Sequence, residues 1–467
     1  MSDIQPQPMN PYARPAEAIR EPPVGFKATL RFLGPSFILI GSIVGSGELI
    51  LTTSLGAQVG FAGLWFILFS CVVKTIVQAE LGRYTISSGD TCLEAFNRLP
   101  GPRWRVGWFV WLWIVWQIPG LITGSAILGS TGQVLSTAFP VLNQVTWGLI
   151  LAGVTVAILL GGKYSLLEKM STFMVISFSI ITVLGAVALQ FTQNAVSWQD
   201  ALLGLRVQLA PLVAPAVIAS VVAAFAGTGV SGGELMSYTY WCVEKGYARY
   251  AGEPDQTEAW TRRARGWVRV MQFDVWLATV IFTSTTIAFY WLGAGVLHSK
   301  GLRPADNQMI AMLQNLYTES LGPWSAGLFL VGGFFVLYST IFSGTAGTTR
   351  LYADVLGVLK LVDFADFQAR LKWIRIFTVA VPLIHSVVFA AHVKPHTVLT
   401  IGSLASGMLI PILAMGTIWL RYYGTDRRIA PTRLTDVMLW ICTACIVAVS
   451  VVFIAVKGPE LLGAGTR

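Results

Sequence analysis

Apolar runs of about twenty residues recur along this chain from Leu33 to Val456, and each has the length that a helix needs to cross a bilayer. Of the 467 residues, 54% are hydrophobic and only 12% are charged, which is roughly half the charged fraction of an ordinary soluble domain. Backbone polar groups inside a bilayer have no water to bind, so such runs are expected to be helices. The sequence therefore predicts an all-α polytopic membrane protein.

The positions of the apolar runs predict eleven membrane spans. Their approximate limits are 33–55, 61–82, 107–131, 146–161, 168–190, 211–239, 271–296, 324–347, 373–391, 397–420 and 434–456. Most of the 32 lysines and arginines fall in alternate loops, which predicts a cytoplasmic N-terminus by the positive-inside rule. The same bias accounts for the net charge of +9 without a nucleic acid. The expected partners are membrane lipids and a small ion or small-molecule substrate.

The polar segments of the chain indicate its surroundings. Residues 1–30 are polar and rich in proline, which predicts a disordered cytoplasmic tail without a cleavable signal sequence. The compact loops between the spans are typical of a protein of the bacterial inner membrane. No nucleophile–base pair, phosphate-binding loop or metal–histidine motif is apparent in the sequence, so we expect neither an enzyme nor a cofactor.

Nearly the same five residues occur twice, each time inside a predicted span. They are Gly45-Ser46-Gly47-Glu48-Leu49 in the first span and Ser231-Gly232-Gly233-Glu234-Leu235 in the sixth. Small residues also serve close helix packing, but Gly227 and Gly229 add to the second group, and glycine is unfavourable within a helix. Both helices are therefore predicted to break at mid-depth, as in transporters. Carboxylates at that depth are costly and usually functional, which makes Glu48 and Glu234 candidate substrate contacts.

Equivalent breaks in spans one and six divide the chain into two halves of five spans. An odd number of spans inverts the second half relative to the first, and the substrate site is then expected near the midplane between them. We expect a first repeat over residues 31–192, a second over 205–420, and an eleventh helix over 433–457.

We single out four further ionisable residues within the predicted spans, namely Lys74, Glu80, Asp274 and His385. Lys74 is near the middle of span two, where it either pairs with Glu48 or Glu234 or extends its charge to the membrane surface. Glu80 and Asp274 lie close to span ends and are expected at the interface. His385 is isolated, and we expect it to pack between helices rather than to bind a ligand.

Several short blocks of residues resemble those of one protein family, and the resemblance extends from about residue 30 to 420. They are Leu33-Gly34-Pro35-Ser36-Phe37, Gly56-Ala57-Gln58 with Gly60 and Leu64-Trp65, Gln78, Gly89, Leu93-Glu94-Ala95, Gly124-Ser125-Ala126-Ile127 and Leu167-Glu168-Lys169. In these blocks the chain resembles the natural-resistance-associated macrophage protein (Nramp) family of divalent-metal transporters. The resemblance implies the leucine-transporter fold, a five-plus-five inverted repeat with an added eleventh helix and with helices 1 and 6 broken.

The chain departs from that family where the family binds metal. Family members carry Asp-Pro-Gly-Asn in the first broken helix and Met-Pro-His-Asn in the sixth, and this chain has the two Gly-Glu motifs there. The resemblance also makes the backbone carbonyl of Thr228 a candidate ligand. A pair of acids that the family has in its third helix falls on Ile118 and Leu121, and the ligating amides of its tenth helix have no clear counterpart between 398 and 420.

The oxygen-rich candidate site predicts a hard cation. Carboxylates and carbonyls suit magnesium, calcium or manganese, whereas thioether and imidazole ligands suit softer ions. We expect a secondary transporter that moves a hard divalent cation by alternating access, without transition-metal selectivity and without proton coupling through helix 3. Glu48, Glu234 and Thr228 are the predicted metal ligands, and the other predicted substrate contacts are Gly45, Ser46, Gly47, Lys74, Ser231, Gly232 and Gly233. The alternatives are a transporter of a small organic solute that binds no metal, and a non-transporting scaffold or sensor.

Overall fold

The computed structural model describes residues 10–461, except 46, 162, 194, 303–308, 365 and 392–394. The described part is almost entirely helical. Its α-helices are α1 Phe26–Leu30, α2 Pro35–Ile43, α3 Thr53–Val59, α4 Leu64–Ser88, α5 Cys92–Phe96, α6 Trp108–Ala138, α7 Gln144–Leu159, α8 Tyr164–Leu189, α9 Trp198–Leu203, α10 Ile218–Gly227, α11 Gly232–Lys245, α12 Tyr247–Ala251, α13 Glu258–Trp291, α14 Met309–Leu321, α15 Ser325–Val358, α16 Phe367–Ala390, α17 Pro395–Tyr423 and α18 Arg433–Leu461.

Short elements of other kinds join these helices. Two-residue strands β1 (Arg103–Trp104) and β2 (Val106–Gly107) pair antiparallel before α6. The remaining helical turns are the 3₁₀ turns Ala16–Ala18, Gly60–Gly63 and Arg427–Ile429 and the π-helical turns Gly47–Thr52 and Leu292–Leu297.

Nine helical segments of the described part are long and apolar enough to cross a membrane. This number is below the eleven predicted spans for two reasons. The first span is interrupted, so its second part joins α4 in a single apolar segment, Gly47–Ser88, and α7 has only 16 residues. Each of the eleven predicted spans nevertheless overlaps at least one helix.

Both predicted helix breaks are confirmed. Helix α2 ends at Ile43, and the chain resumes as the π-helical turn Gly47–Thr52, which continues into α3. Helix α10 ends at Gly227 and α11 begins at Gly232. Between them Gly229 has a φ of +65°, a left-handed conformation that glycine adopts without steric cost.

The broken spans lie at the centre of the helix bundle. Helix α2 packs against α8, α11 and α15, while α10 packs against α17 and the π-helical turn Gly47–Thr52. The two spans approach most closely at their glycines, because a Cβ atom on Gly47 would lie 1.8 Å from the carbonyl oxygen of Gly227. This close approach brings the two Gly-Glu motifs together.

The start of α2 is held by Asp274 of α13. One carboxylate oxygen accepts from the backbone N–H of Gly34 at 2.9 Å, and the other accepts from that of Ser36 at 2.8 Å. Asp274, which lies close to a predicted span end, has its side chain fully buried between the helices. It supplies the acceptors that the first turn of a helix lacks.

The N-terminal segment is ordered from residue 10, which corrects the prediction of a disordered tail over 1–30; residues 1–9 lie outside the described residues. The Tyr12 hydroxyl donates to Glu244 at 2.9 Å, and the Trp267 indole N–H donates to the Arg20 carbonyl at 2.9 Å. The Arg370 guanidinium lies 3.4 Å from the centre of the Tyr12 ring. Proline-rich composition indicated disorder, but these few side chains find partners on the ends of the spans.

Candidate functional site

A cavity of about 250 Å³ adjoins the two helix breaks. Its wall includes residues of α2, the turn Gly47–Thr52, α6, α11, α15, α16 and α17. Four of the predicted site residues line it, namely Gly47, Ser231, Gly233 and Glu234. The cavity is therefore the place where a substrate would meet both broken spans.

Glu234 provides the negative charge of this cavity. It lies in the first turn of α11 with its side chain half-buried, and the Ser231 hydroxyl donates to one of its carboxylate oxygens. Among the described residues that line the cavity, Glu234 is the one carboxylate, and none is lysine or arginine. The cavity therefore favours a cation.

Glu48, the other predicted carboxylate, is turned away from the cavity. Its side chain is fully buried, and its two oxygens accept from the backbone N–H groups of Gly229 at 2.9 Å and Gly45 at 3.2 Å. One amide belongs to each broken span. Glu48 thus joins the two breaks to each other instead of facing the cavity.

Lys74 adopts neither of its predicted arrangements. It is fully buried in α4, and its ammonium group donates to the backbone carbonyls of Phe225 and Thr228 at the end of α10. Within the described residues, no ion pair joins Lys74 to Glu48 or Glu234. The predicted pairing and the predicted extension to the surface are both wrong, because the unpaired carbonyls of the broken helix are the nearer acceptors.

The other predicted residues shape the breaks. Gly45 gives room to Thr340 of α15, whose hydroxyl would be 1.7 Å from a Cβ atom at position 45. The Thr228 hydroxyl shares a 2.7 Å hydrogen bond with that of Thr52, and Gly232 packs beside Ser406 of α17. Ser46 lies outside the described residues.

Several cavity residues were not among the predicted contacts. The cavity is also lined by Trp113, Trp116 and Gln117 of α6, by Tyr352 of α15 and by His385 of α16. His385, predicted to pack between helices, lies against Gly124 of α6, where a Cβ atom would be 2.2 Å from the imidazole ring, and it also lines the cavity. The pairing of Gly124 with a distant histidine leaves no signal in one sequence.

The polar side chains that line the cavity suit a cation that keeps part of its hydration shell. No group of three or more His, Cys, Asp or Glu side chains that could hold a metal ion is found among the described residues. The Trp116 indole N–H is buried without a hydrogen-bond partner in the described part of the chain, and the hydroxyls of Ser42, Ser403 and Ser406 also belong to cavity-lining residues. One carboxylate with scattered neutral polar groups can contact a cation through water.

A model of natural resistance-associated macrophage protein-like sequences matches residues 37–456 of this chain. The chain belongs to the Nramp family. As an Nramp protein it is an integral membrane protein of a transporter family, and the resemblance drawn from its sequence blocks is confirmed.

Relatives of this Nramp protein are distant. An uncharacterized protein of Pasteurella multocida is 25% identical over 345 residues, covering 70% of this chain and 71% of its own. The divalent metal cation transporter MntH of Bacillus subtilis is 24% identical over 450 residues, covering 92% and 93%. The manganese transporter of Eremococcus coleocola aligns with a TM-score of 0.69 at 14% identity, covering 96% of this chain and 91% of that one. The five-plus-five leucine-transporter-like fold, with its eleventh helix, is thereby confirmed.

Proposed function

We propose that this Nramp-family protein is a secondary transporter that moves a hard divalent cation, magnesium- or manganese-like, by alternating access. The observation that carries the proposal is the carboxylate of Glu234, which faces the cavity and is the one acidic side chain among the described residues that line it. The names of its relatives MntH and of the manganese transporter with the same fold support a divalent cation.

The cation would retain much of its hydration shell. A water molecule in the liquid occupies roughly 30 Å³, so a cavity of about 250 Å³ has room for an ion with several waters. Magnesium dehydrates reluctantly and is usually bound through one or two carboxylates with its remaining waters. Glu234 is therefore the proposed charge contact, with Ser231 and Gly233 beside it. Glu48 and Thr228, predicted as direct ligands, are assigned to holding the breaks.

Proton movement through α6 is not part of this proposal. The helix contains no titratable side chain, and the family's acid positions are Ile118 and Leu121. Transition-metal selectivity is not part of the proposal, because neither Gly-Glu motif contains a thioether, a thiolate or an imidazole. Met236 and His385 line the same cavity and are not assigned as ligands. The basic residues of alternate loops support a cytoplasmic N-terminus, and the bacterial relatives support a bacterial inner membrane as the location.

A small organic amine is the second candidate substrate. Three aromatic side chains, Trp113, Trp116 and Tyr352, line the same cavity as Glu234. Aromatic faces attract organic cations, and the attraction grows when the site is dry. An ammonium group held by Glu234 and covered by these rings would use the same negative charge without a metal.

Calorimetric titration of the purified protein with magnesium, manganese and calcium tests the proposal. We expect saturable heat with the wild type and none with Glu234→Gln, which removes the charge of the cavity. Glu48→Gln is the matched control: it should lower the melting temperature, since an amide cannot accept from both Gly45 and Gly229, but the folded fraction should still bind. Absence of heat with every divalent ion, for folded wild type, would overturn the proposal. Stabilisation by ethanolamine alone would instead favour the amine.

A further inference from the structure

Lys74 is a positive charge fixed at the end of a broken helix. Its side chain is fully buried, its ammonium donates to the carbonyls of Phe225 and Thr228, and the nitrogen lies 4.9 Å from the centre of the Phe225 ring. Those carbonyls belong to the last turn of α10 and to the residue after it, and the partial negative charge of a helix C-terminus is concentrated there. The ammonium thus sits where a free cation would be attracted.

Glu48 completes the arrangement with the opposite charge. Its carboxylate accepts from the amide of Gly45 in the first broken span and from that of Gly229 in the sixth. Lys74 donates to the carbonyls of Phe225 and Thr228, at the end of the first half of the sixth span. Both side chains are fully buried, and neither lines the cavity that contains Glu234. Two amides and two carbonyls at the breaks are therefore hydrogen-bonded by side chains of the protein itself.

We propose that Lys74 is a tethered cation that permanently fills the cation position between the broken helices, so that the transported cation binds beside Glu234 instead. This inference rests on the proposed function and makes Lys74 a determinant of specificity. Carbonyl oxygens near a carboxylate are the ligands that hard metal ions prefer. Because the ammonium already holds those of Phe225 and Thr228, an ion that needs direct coordination finds no ligand set. An ion that contacts the protein through its own water molecules does not need these carbonyls and can bind beside Glu234.

Removal of the ammonium should convert the position into an empty cation site. In Lys74→Ala, two buried carbonyls lose their donor, and Glu48 loses its electrostatic interaction with the positive charge of Lys74. A buried group left without its partner destabilises a protein more than the intact contact stabilised it. A small cation that enters the vacated space restores both interactions, and its binding raises the melting temperature by mass action.

The test compares melting temperatures of purified full-length variants in choline chloride, sodium chloride, potassium chloride and methylammonium chloride at equal ionic strength. We expect Lys74→Ala to melt lower than the wild type in choline, and to gain about 3 °C or more in at least one of the small cations, saturably. The wild type and the exposed-lysine control Lys372→Ala should show no such gain. Adding Glu48→Gln to Lys74→Ala should abolish the response.

A second variant covers the case in which Lys74→Ala does not fold in choline. Lys74→Gln keeps an uncharged donor for the carbonyls, so it should fold, melt below the wild type and gain stability from small cations less than the alanine variant. Recovery of folded Lys74→Ala only from methylammonium buffers would support the proposal. Indifference of both variants to every small cation, or an equal response in the wild type, would overturn it.

The divalent titration separates this inference from the proposed function. If wild type binds magnesium or manganese and Glu234→Gln does not, but Lys74→Ala ignores small cations, only the tethered-cation proposal fails. If wild type binds no divalent ion while Lys74→Ala is rescued by methylammonium, the substrate proposal fails and the role of Lys74 stands.

Discussion

Gly47 is a residue at which the backbones of the two broken spans come close together. A methyl group there would lie 1.8 Å from the Gly227 carbonyl oxygen, a backbone atom that cannot rotate away. We expect Gly47→Ala to lower the free energy of unfolding by about 3 kcal/mol or more, because the spans must move apart. Gly153→Ala in α7, where nothing lies within 4 Å, is the control and should be neutral or stabilising. Equal melting temperatures for both variants would contradict the close crossing.

Glu94 of α5 links the stability of the protein to pH. Burial, and next the nearby carboxylate of Asp354, raise the pKa of the Glu94 carboxyl to about 7. The folded state therefore binds a proton that the unfolded state releases near pH 4.5, so the stability contributed by this group is present below that pH and is lost as the pH rises through about 7.

Glu94→Gln isolates that effect. Glutamine retains the oxygen that accepts from the Thr91 N–H, at 3.0 Å in the wild type, so the helix cap is preserved. We expect the variant to melt higher than the wild type at pH 8 and to have a flatter dependence of melting temperature on pH between about 4.5 and 7. Parallel pH profiles for the two proteins would show that Glu94 does not cause the dependence.

At the scale of elements, α2 depends on a cap donated by another helix. Asp274 of α13 accepts from both Gly34 and Ser36 while fully buried. We expect Asp274→Ala to cost about 2–4 kcal/mol, since two buried amides lose their acceptor, and Asp274→Asn to cost less. Asp366→Ala, which removes the exposed cap of α16, should cost about 1 kcal/mol. Thermal unfolding in detergent ranks the stabilities of the three variants. Similar losses of stability in Asp274→Ala and Asp366→Ala would contradict the prediction.

The sequence predicts the helix breaks but not the hydrogen-bond partners of the buried charged side chains. Both breaks were predictable because several glycines inside an apolar span act locally, through their own backbone preference. The partners of Glu48 and Lys74 were not, because both reach backbone groups more than 150 positions away, which only the crossing of the spans brings close. The partners of Asp274, the N–H groups of Gly34 and Ser36, could not be predicted for the same reason. The backbone conformation of a segment depends mainly on its own residues. The hydrogen-bond partner of a buried charge depends on which groups the tertiary structure brings close to it.

At the scale of the whole molecule, the charged residues of the loops and the buried charged residues have different roles. Lysine and arginine in alternate loops orient the protein, whereas the few buried charges organise its centre. Glu234 faces the cavity, and the Gln117 amide oxygen opposite accepts from the Tyr352 hydroxyl at 3.4 Å. Trp113 packs edge-on against that tyrosine with 5.8 Å between ring centres. These three side chains bridge α6 and α15.

The orientation of the whole molecule is testable by labelling single cysteines in intact cells. Gln256 lies in the exposed loop before α13, and Val141 is 87% exposed in the loop between α6 and α7. With a cytoplasmic N-terminus, one further span reverses the side each time, so Val141→Cys is expected to react with a membrane-impermeant maleimide and Gln256→Cys only after the cells are lysed. The native cysteines give little background, as four are buried and Cys445 is half-buried. The opposite labelling pattern would place the N-terminus outside, and equal labelling of both sites in intact cells would contradict the span assignment between them.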